Sequence, residues 1–292
     1  MPGLKDVKDK INGVKKTAQI TKAMNMVASA KLRGAQEKME RFRPYAGKFG
    51  EAMRDLSGGV DSGDLPLMEV RDVRKVEIVV VTSDRGLCGS FNANIIKAAD
   101  RQRKQYEAEG KTVSIVTVGK KGTQAFRKTG KVRASFNDIM GSFQMFNARE
   151  ISQNITEAFL TGESDQVDLV YGKFHSVAVQ KPNREELLPI KPLTDGASEP
   201  AVAGAGGSYT YEPDPGEIME VLLPLFLNVQ IYHSMLEVGA SEHAARMTAM
   251  DNATNACKDI IKDLTRLYNK ARQAAVTNEL MDIVGGAEAL RG

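Results

Sequence analysis

Apolar and small residues recur at alternating steps of three and four along both ends of this chain. On the C-terminal side the row reads Leu222, Leu225, Val229, Tyr232, Leu236, Gly239, His243, Arg246, Met250, Ala253, Cys257, Ile260, Leu264, Leu267, Ala271 and Ala274. On the N-terminal side it runs from Leu4, Val7, Ile11, Val14, Ala18, Thr21, Asn25 and Ala28 through Leu32, Met39, Phe42 and Phe49 to Leu56. Such alternation is the seam of a coiled coil, narrower than the apolar face of an ordinary globular helix. A single helix over 215–290 would extend roughly 100 Å at 1.5 Å per residue, and a helix of that length needs a partner along it. Two seams at opposite ends of one chain predict an antiparallel coiled coil formed by residues 1–57 and 215–290. Two separate helices, each packed on a globular core, are the alternative, but globular helices average only about a dozen residues.

Between the seams the period changes. Val76–Val81 is a β-branched run expected to form a strand buried on both faces. Glycine turns and helical stretches then alternate with further strand candidates at Val113–Val118, Val132–Phe136, Val167–Phe174 and Arg184–Ile190. Helices are expected up to about Glu109, over Lys120–Lys128 and over Asn147–Leu160. Strand–helix alternation predicts a small α/β, Rossmann-like domain at 75–192 with a mainly parallel sheet. Residues 193–214, rich in Gly, Ala and Pro, read as a flexible connection into the long helix. Ser57-Gly58-Gly59 ends the first helix, and Pro44 within it is expected to bend it.

Composition narrows the partners more than the fold. Aromatic residues make up 6% of the chain and tryptophan is absent, which suits rods better than a large compact core. The net charge of +3 hides an asymmetry: Lys10, Lys15, Lys16, Lys22, Lys31 and Arg33 fall in a stretch without a single acid. That stretch seeks an acidic surface, either phosphate or carboxylate. Cys88 and Cys257 are too few for a disulfide framework and show no metal-ligand spacing, which points to a reducing cytoplasmic setting. The longest apolar run, Val221–Val229, is far short of a membrane span, and the N-terminus lacks a signal-peptide apolar block.

The candidate chemistry is thin. Gly86 and Gly89 follow a strand, but their spacing is G-x-x-G rather than G-x-G-x-x-G, and no acid follows the second strand to hold a ribose. Tight strand-to-helix packing explains those glycines better than a nucleotide. His175, His233 and His243 have no companion ligands, and Ser83, Asp84 and Ser90 do not make a nucleophile elbow. No catalytic, cofactor-binding or metal-binding residue is expected. Ile20, Met24, Met26 and Val27 lie off the seam. The apolar stretch from Ala274 to Leu290 runs past the level that Leu4 can pair with. An exposed apolar tip of this kind should be enclosed by a partner.

Several segments together resemble the γ subunits of F-type ATP synthases. They are Ile20–Ala28, Thr82–Gly89, Tyr211–Asp214, Ser241–Met250 and Tyr268–Leu280, and the likeness is collinear over nearly the whole chain. The resemblance implies a rotor shaft inside a ring of α and β subunits, turned by the membrane c-ring. Further partners would be δ and ε, with no nucleic acid and no direct membrane insertion. The location would be peripheral, on the cytoplasmic face of a bacterial inner membrane. Carried onto this sequence, Met24 with Lys22 would face a β-subunit loop. Arg246, Arg272, Gln273, Thr277 and Glu279 would form a polar catch with α and β, and Tyr209, Tyr211 and Glu212 would lie near the c-ring and ε. From the residues alone, two other readings stay open: a coiled-coil nucleic-acid-binding protein, and a nucleotide-binding α/β enzyme with helical arms.

Overall fold

The computed structural model describes residues 4–57, 65–191 and 214–289. The first helix, α1, spans Leu4–Ser57 and continues through Pro44. The last, α5, spans Pro215–Ala289 and continues through Pro224. Between them lie β1 (Lys75–Val81), α2 (Phe91–Ala108), β2 (Thr112–Val118), α3 (Lys120–Phe126), β3 (Val132–Phe136), α4 (Met145–Leu160), β4 (Gln166–Phe174) and β5 (Gln180–Leu188). The chain divides into two compact units, one of residues 30–245 and one that joins 1–29 to 246–292.

In the 30–245 unit the strands make one sheet in the order β3-β2-β1-β4-β5. β1 pairs in parallel with both β2 and β4, β2 pairs in parallel with β3, and β5 alone runs antiparallel, at the edge beside β4. The mainly parallel α/β arrangement expected from the alternation is therefore present. β1 is central, and Val76 and Ile78–Val81 are buried, which is why its sequence is a continuous β-branched run. The last strand starts four residues earlier than Arg184. As an edge strand it exposes alternate polar residues, so its first half carries no apolar signal, and Pro182 is tolerated there. α4 starts two residues earlier than expected, where the Gln144 backbone N–H donates to Asn147 Oδ1 at 3.0 Å.

Two buried carboxylates mark the two faces of the sheet. On the α4 face, Glu77 is held by Arg133 through Nε (2.6 Å) and Nη2 (2.9 Å), and this bidentate contact raises the guanidinium's affinity for its proton. On the α2 face, Asp168 accepts from the Tyr106 hydroxyl, Gln102, Gln166 and Arg184. Burial, reinforced by that carboxylate, pushes the Tyr106 phenol up to about 12. Each charge therefore has partners in place of water, as a buried ion requires.

Within the same unit, α1 and α5 run antiparallel: Phe42 meets Tyr232 edge-on at 5.0 Å, and Phe49 stacks on Phe226 at 6.3 Å. No residue of α5 from Phe226 to Met247 is exposed. Small residues make that enclosure possible, and Ser241 Oγ donates to the Gly172 carbonyl at 3.2 Å. Gly172 itself cannot carry a Cβ, which would stand 2.4 Å from the Phe91 ring. One window of α5 is apolar enough by composition to cross a membrane, and 56% of it is buried inside the protein. Its apolarity is spent on the protein core.

All sixteen α1 positions of the predicted seam that run from Leu4 to Leu56 at three–four steps are buried or half-buried. On α5 the prediction is half right. The heptad positions Met250, Cys257, Leu264 and Ala271 face inward, but the intervening ones are Thr254, Ile261, Tyr268 and Ala275. Ile260 and Leu267, expected inside, are 47% and 44% exposed. Apolar residues stand on both sides of each heptad position, so periodicity alone could not choose between them. At Thr254 it favoured the neighbouring alanine over a hydroxyl that the structure buries and satisfies.

Candidate interaction surface

In doubly wound sheets, ligands bind outside the carboxyl ends of the strands where the order reverses, here beyond β1 and β4. The Asp84 carboxylate, just past β1, accepts the backbone N–H groups of Lys120 (2.9 Å), Asp138 (2.9 Å) and Met140 (2.8 Å). Asp84 thus ties the end of β1 to the turns that follow β2 and β3. Beside it, Ser83 N–H donates to Asn92 Oδ1 at 3.0 Å and Ser83 Oγ donates to the Arg85 carbonyl at 2.7 Å. Gly119 has φ +92°, and a Cβ there would sit 2.2 Å from the Thr82 carbonyl oxygen. The glycines and serines of these turns pack and cap the chain. Among the described residues no group of three His, Cys, Asp or Glu could hold a metal ion.

The unit of residues 1–29 and 246–292 is built differently. Its two helices meet along one stripe, where Val7, Thr21, Ala28, Met250, Thr254 and Cys257 are buried. Thr21 and Thr254 share a hydrogen bond of 2.8 Å across the seam, and Thr254 Oγ1 also donates to the Met250 carbonyl at 2.8 Å. Asn25 Nδ2 donates to the Met247 carbonyl at 2.9 Å. A polar pair inside an apolar seam fixes the register, since any slip would bury it without a partner. That register carries Leu4 to the level of Ala271. From Val276 to residue 287 every residue of α5 is exposed, and Val276, Leu280, Met281, Ile283 and Val284 are 50–67% exposed.

The residues expected to contact partners distribute unevenly over this unit. Ile20, Met26 and Val27 are exposed, and Met24 is half-buried at the edge of the seam. Lys22 is exposed but two positions from Met24, so the two side chains leave α1 on different sides. Arg246 is 9% exposed and lies about 39 Å along the helix from Arg272. Arg272, Gln273, Thr277 and Glu279 are all exposed. Gln273 and Thr277 adjoin, with Thr277 Oγ1 donating to the Gln273 carbonyl at 2.9 Å. Arg272 and Glu279, one heptad apart, share the adjacent face. Tyr209, Tyr211 and Glu212, like the connection up to residue 213, lie outside the described residues. Asn25, placed in the seam by its spacing, is a cross-seam donor, a role its spacing did not disclose.

A family model described as ATP synthase matches residues 3–290. The chain is 63% identical to the ATP synthase gamma chain of Desulfotalea psychrophila and 53% identical to that of Maridesulfovibrio salexigens, each alignment covering all of both chains. The chain belongs to the ATP synthase gamma chain family. Among solved structures, a chain of the Euglena gracilis mitochondrial ATP synthase OSCP/F1/c-ring assembly matches with a TM-score of 0.69 at 20% identity, over 98% of this chain and 94% of that one. A chain of the Tetrahymena thermophila mitochondrial ATP synthase central stalk/c-ring matches with a TM-score of 0.59 at 24% identity, over 80% and 99%. This gamma chain therefore has the fold of those assemblies: two long terminal helices and a central, mostly parallel sheet.

Proposed function

We propose that this chain is the central rotor shaft of a bacterial F-type ATP synthase and carries no active site of its own. Proton flow turns the membrane c-ring, the shaft turns with it, and its asymmetric surface drives each catalytic β subunit through states of different nucleotide affinity. Its work is the coupling of binding free energies at a distance. The observation that carries the reading is the apolar end of α5, from Val276 to Val284, which is helical and exposed. A smooth apolar surface of that kind calls for an enclosing partner, and a ring of α and β subunits supplies one.

In this reading Met24 and Lys22 meet a β-subunit loop, and the basic residues Lys10, Lys15, Lys16, Lys31 and Arg33, all exposed, face acidic loops. Arg246, Arg272, Gln273, Thr277 and Glu279 contact α and β, and Tyr209, Tyr211 and Glu212 contact the c-ring and ε, with δ elsewhere in the complex. The chain then sits peripherally, on the cytoplasmic face of the inner membrane. The test is to tag the chain, isolate it from its native membrane and assay ATP hydrolysis. Recovery of α and β subunits with ATPase activity, together with an inactive isolated chain, supports the shaft. Elution alone overturns it. Within the complex, Met24→Lys places a second cation at the β-loop contact, and fewer protons pumped per ATP hydrolysed are expected; an unchanged ratio removes Met24 from that contact.

A further inference from the structure

In the 30–245 unit, a cavity of about 230 Å³ lies between α1, the loop after β3 and α5. Its rim carries Lys31 and Lys38, one heptad pair apart on α1, and no acidic residue lines it. Neither lysine has a hydrogen-bond or ion-pair partner among the described residues. By contrast, Arg33 on the same helix is paired with Glu37 at 3.5 Å. The Tyr232 hydroxyl is also without a partner there, and burial raises its pKa.

The loop supplies more donors. Its preceding amides, at Asp138 and Met140, are taken by the Asp84 carboxylate, but the backbone N–H groups of Gly141 and Phe143 donate to nothing in the described chain. The same loop thus carries amides held by a carboxylate next to two amides, in cavity-lining residues, that no described acceptor takes. The wall opposite is apolar: Met140, Phe143 and Leu236, with Gly239 leaving room below the Phe143 ring.

We propose that this cavity binds a small phosphate ester. Two ammonium groups, two amides and a phenol are all donors, which suits the three terminal oxygens of a phosphate better than the two of a carboxylate. The apolar wall takes the ester's organic part. At about 230 Å³ the site is below the roughly 300–1,000 Å³ of drug-sized ligand pockets, so the ester is small. The site shares Lys31 with the acidic-loop contacts of the shaft reading, and ligand binding to the chain alone tests it apart from them.

Calorimetric titration of the full-length chain with phenyl phosphate tests it, with inorganic phosphate and benzyl alcohol as controls. One phenyl phosphate should bind per chain, more tightly than inorganic phosphate, and benzyl alcohol should not bind. Lys31→Gln with Lys38→Gln, both exposed and so harmless to the fold, should weaken binding about ten-fold or more. Tyr232→Phe should weaken it less. Absence of saturable binding, or unchanged affinity in the double lysine variant, overturns the proposal. Inorganic phosphate binding as tightly as the ester overturns the assignment of an organic part.

Discussion

From Phe226 to Met247, α5 has no exposed residue, whereas from Asp251 onward it is buried along one stripe, and past Ala275 along none. The same helix therefore lives under two regimes. In the 30–245 unit it is a core element, and its sequence there is apolar or small all round: Ile231, Met235, Val238, Ala240 and Ala244 are fully buried. In the unit of 1–29 and 246–292 it is half of a two-stranded seam, and its specificity rests on single polar contacts such as Thr21–Thr254. A core tolerates little change of volume anywhere. A seam tolerates change on most of its surface and is sensitive along one line.

The largest effect expected from that contrast is at Gly119. Gly119→Ala forces a Cβ to 2.2 Å from the Thr82 carbonyl at a left-handed φ, and a loss of about 4 kcal/mol in urea unfolding is expected. Tolerance of alanine there would mean that the strand ends are looser than a core. Next, Arg133→Met strips Glu77, a fully buried carboxylate, of its cation, and should cost about 3 kcal/mol by the same measurement. In the seam, Thr21→Val should cost only about 1 kcal/mol, because Thr254 keeps its bond to the Met250 carbonyl. Replacing both threonines by valine should be close to neutral in stability. A cost in the double variant well above the single one would show that the seam is packed as strictly as the core.

The smallest effect is one of pH. Burial, with Arg43 and Lys173 adding to it, holds the His233 imidazole below its ordinary pKa of 6.5, against the opposing pull of Glu237 at 3.5 Å. The folded state therefore takes up a proton less readily than the unfolded chain. Stability from this group is complete above about pH 6.5 and falls as pH drops below it toward the depressed value. His233→Gln should flatten that slope in unfolding curves recorded from pH 7 to pH 5. An unchanged slope would move the acid sensitivity to another group.

Most of this fold was legible where one period dominated. The β-branched run of β1 and the seam of α1 could each be read directly, because every inward position there is apolar, small or, at Thr21 and Asn25, spaced in step with its neighbours. Legibility failed where two answers had the same pattern. Ile260 and Ile261 are equally apolar, and only the packing of α1 decides that Ile261 turns inward. It failed again at β5, where an edge strand buries little, and at Asp84, whose role depends on three amides that come 36 to 56 residues later. The exposed apolar end of α5 was visible as a surplus of seam beyond Leu4.

Asp84 has a consequence for how the fold can change. Its carboxylate satisfies amides from two separate loops, one after β2 and one after β3. The acceptor is tethered to β1, so it meets those amides at an effective concentration set by the chain and not by the solution. Removing that side chain would leave three amides of two turns without their acceptor, which makes Asp84 the residue that locks the ends of three neighbouring strands together.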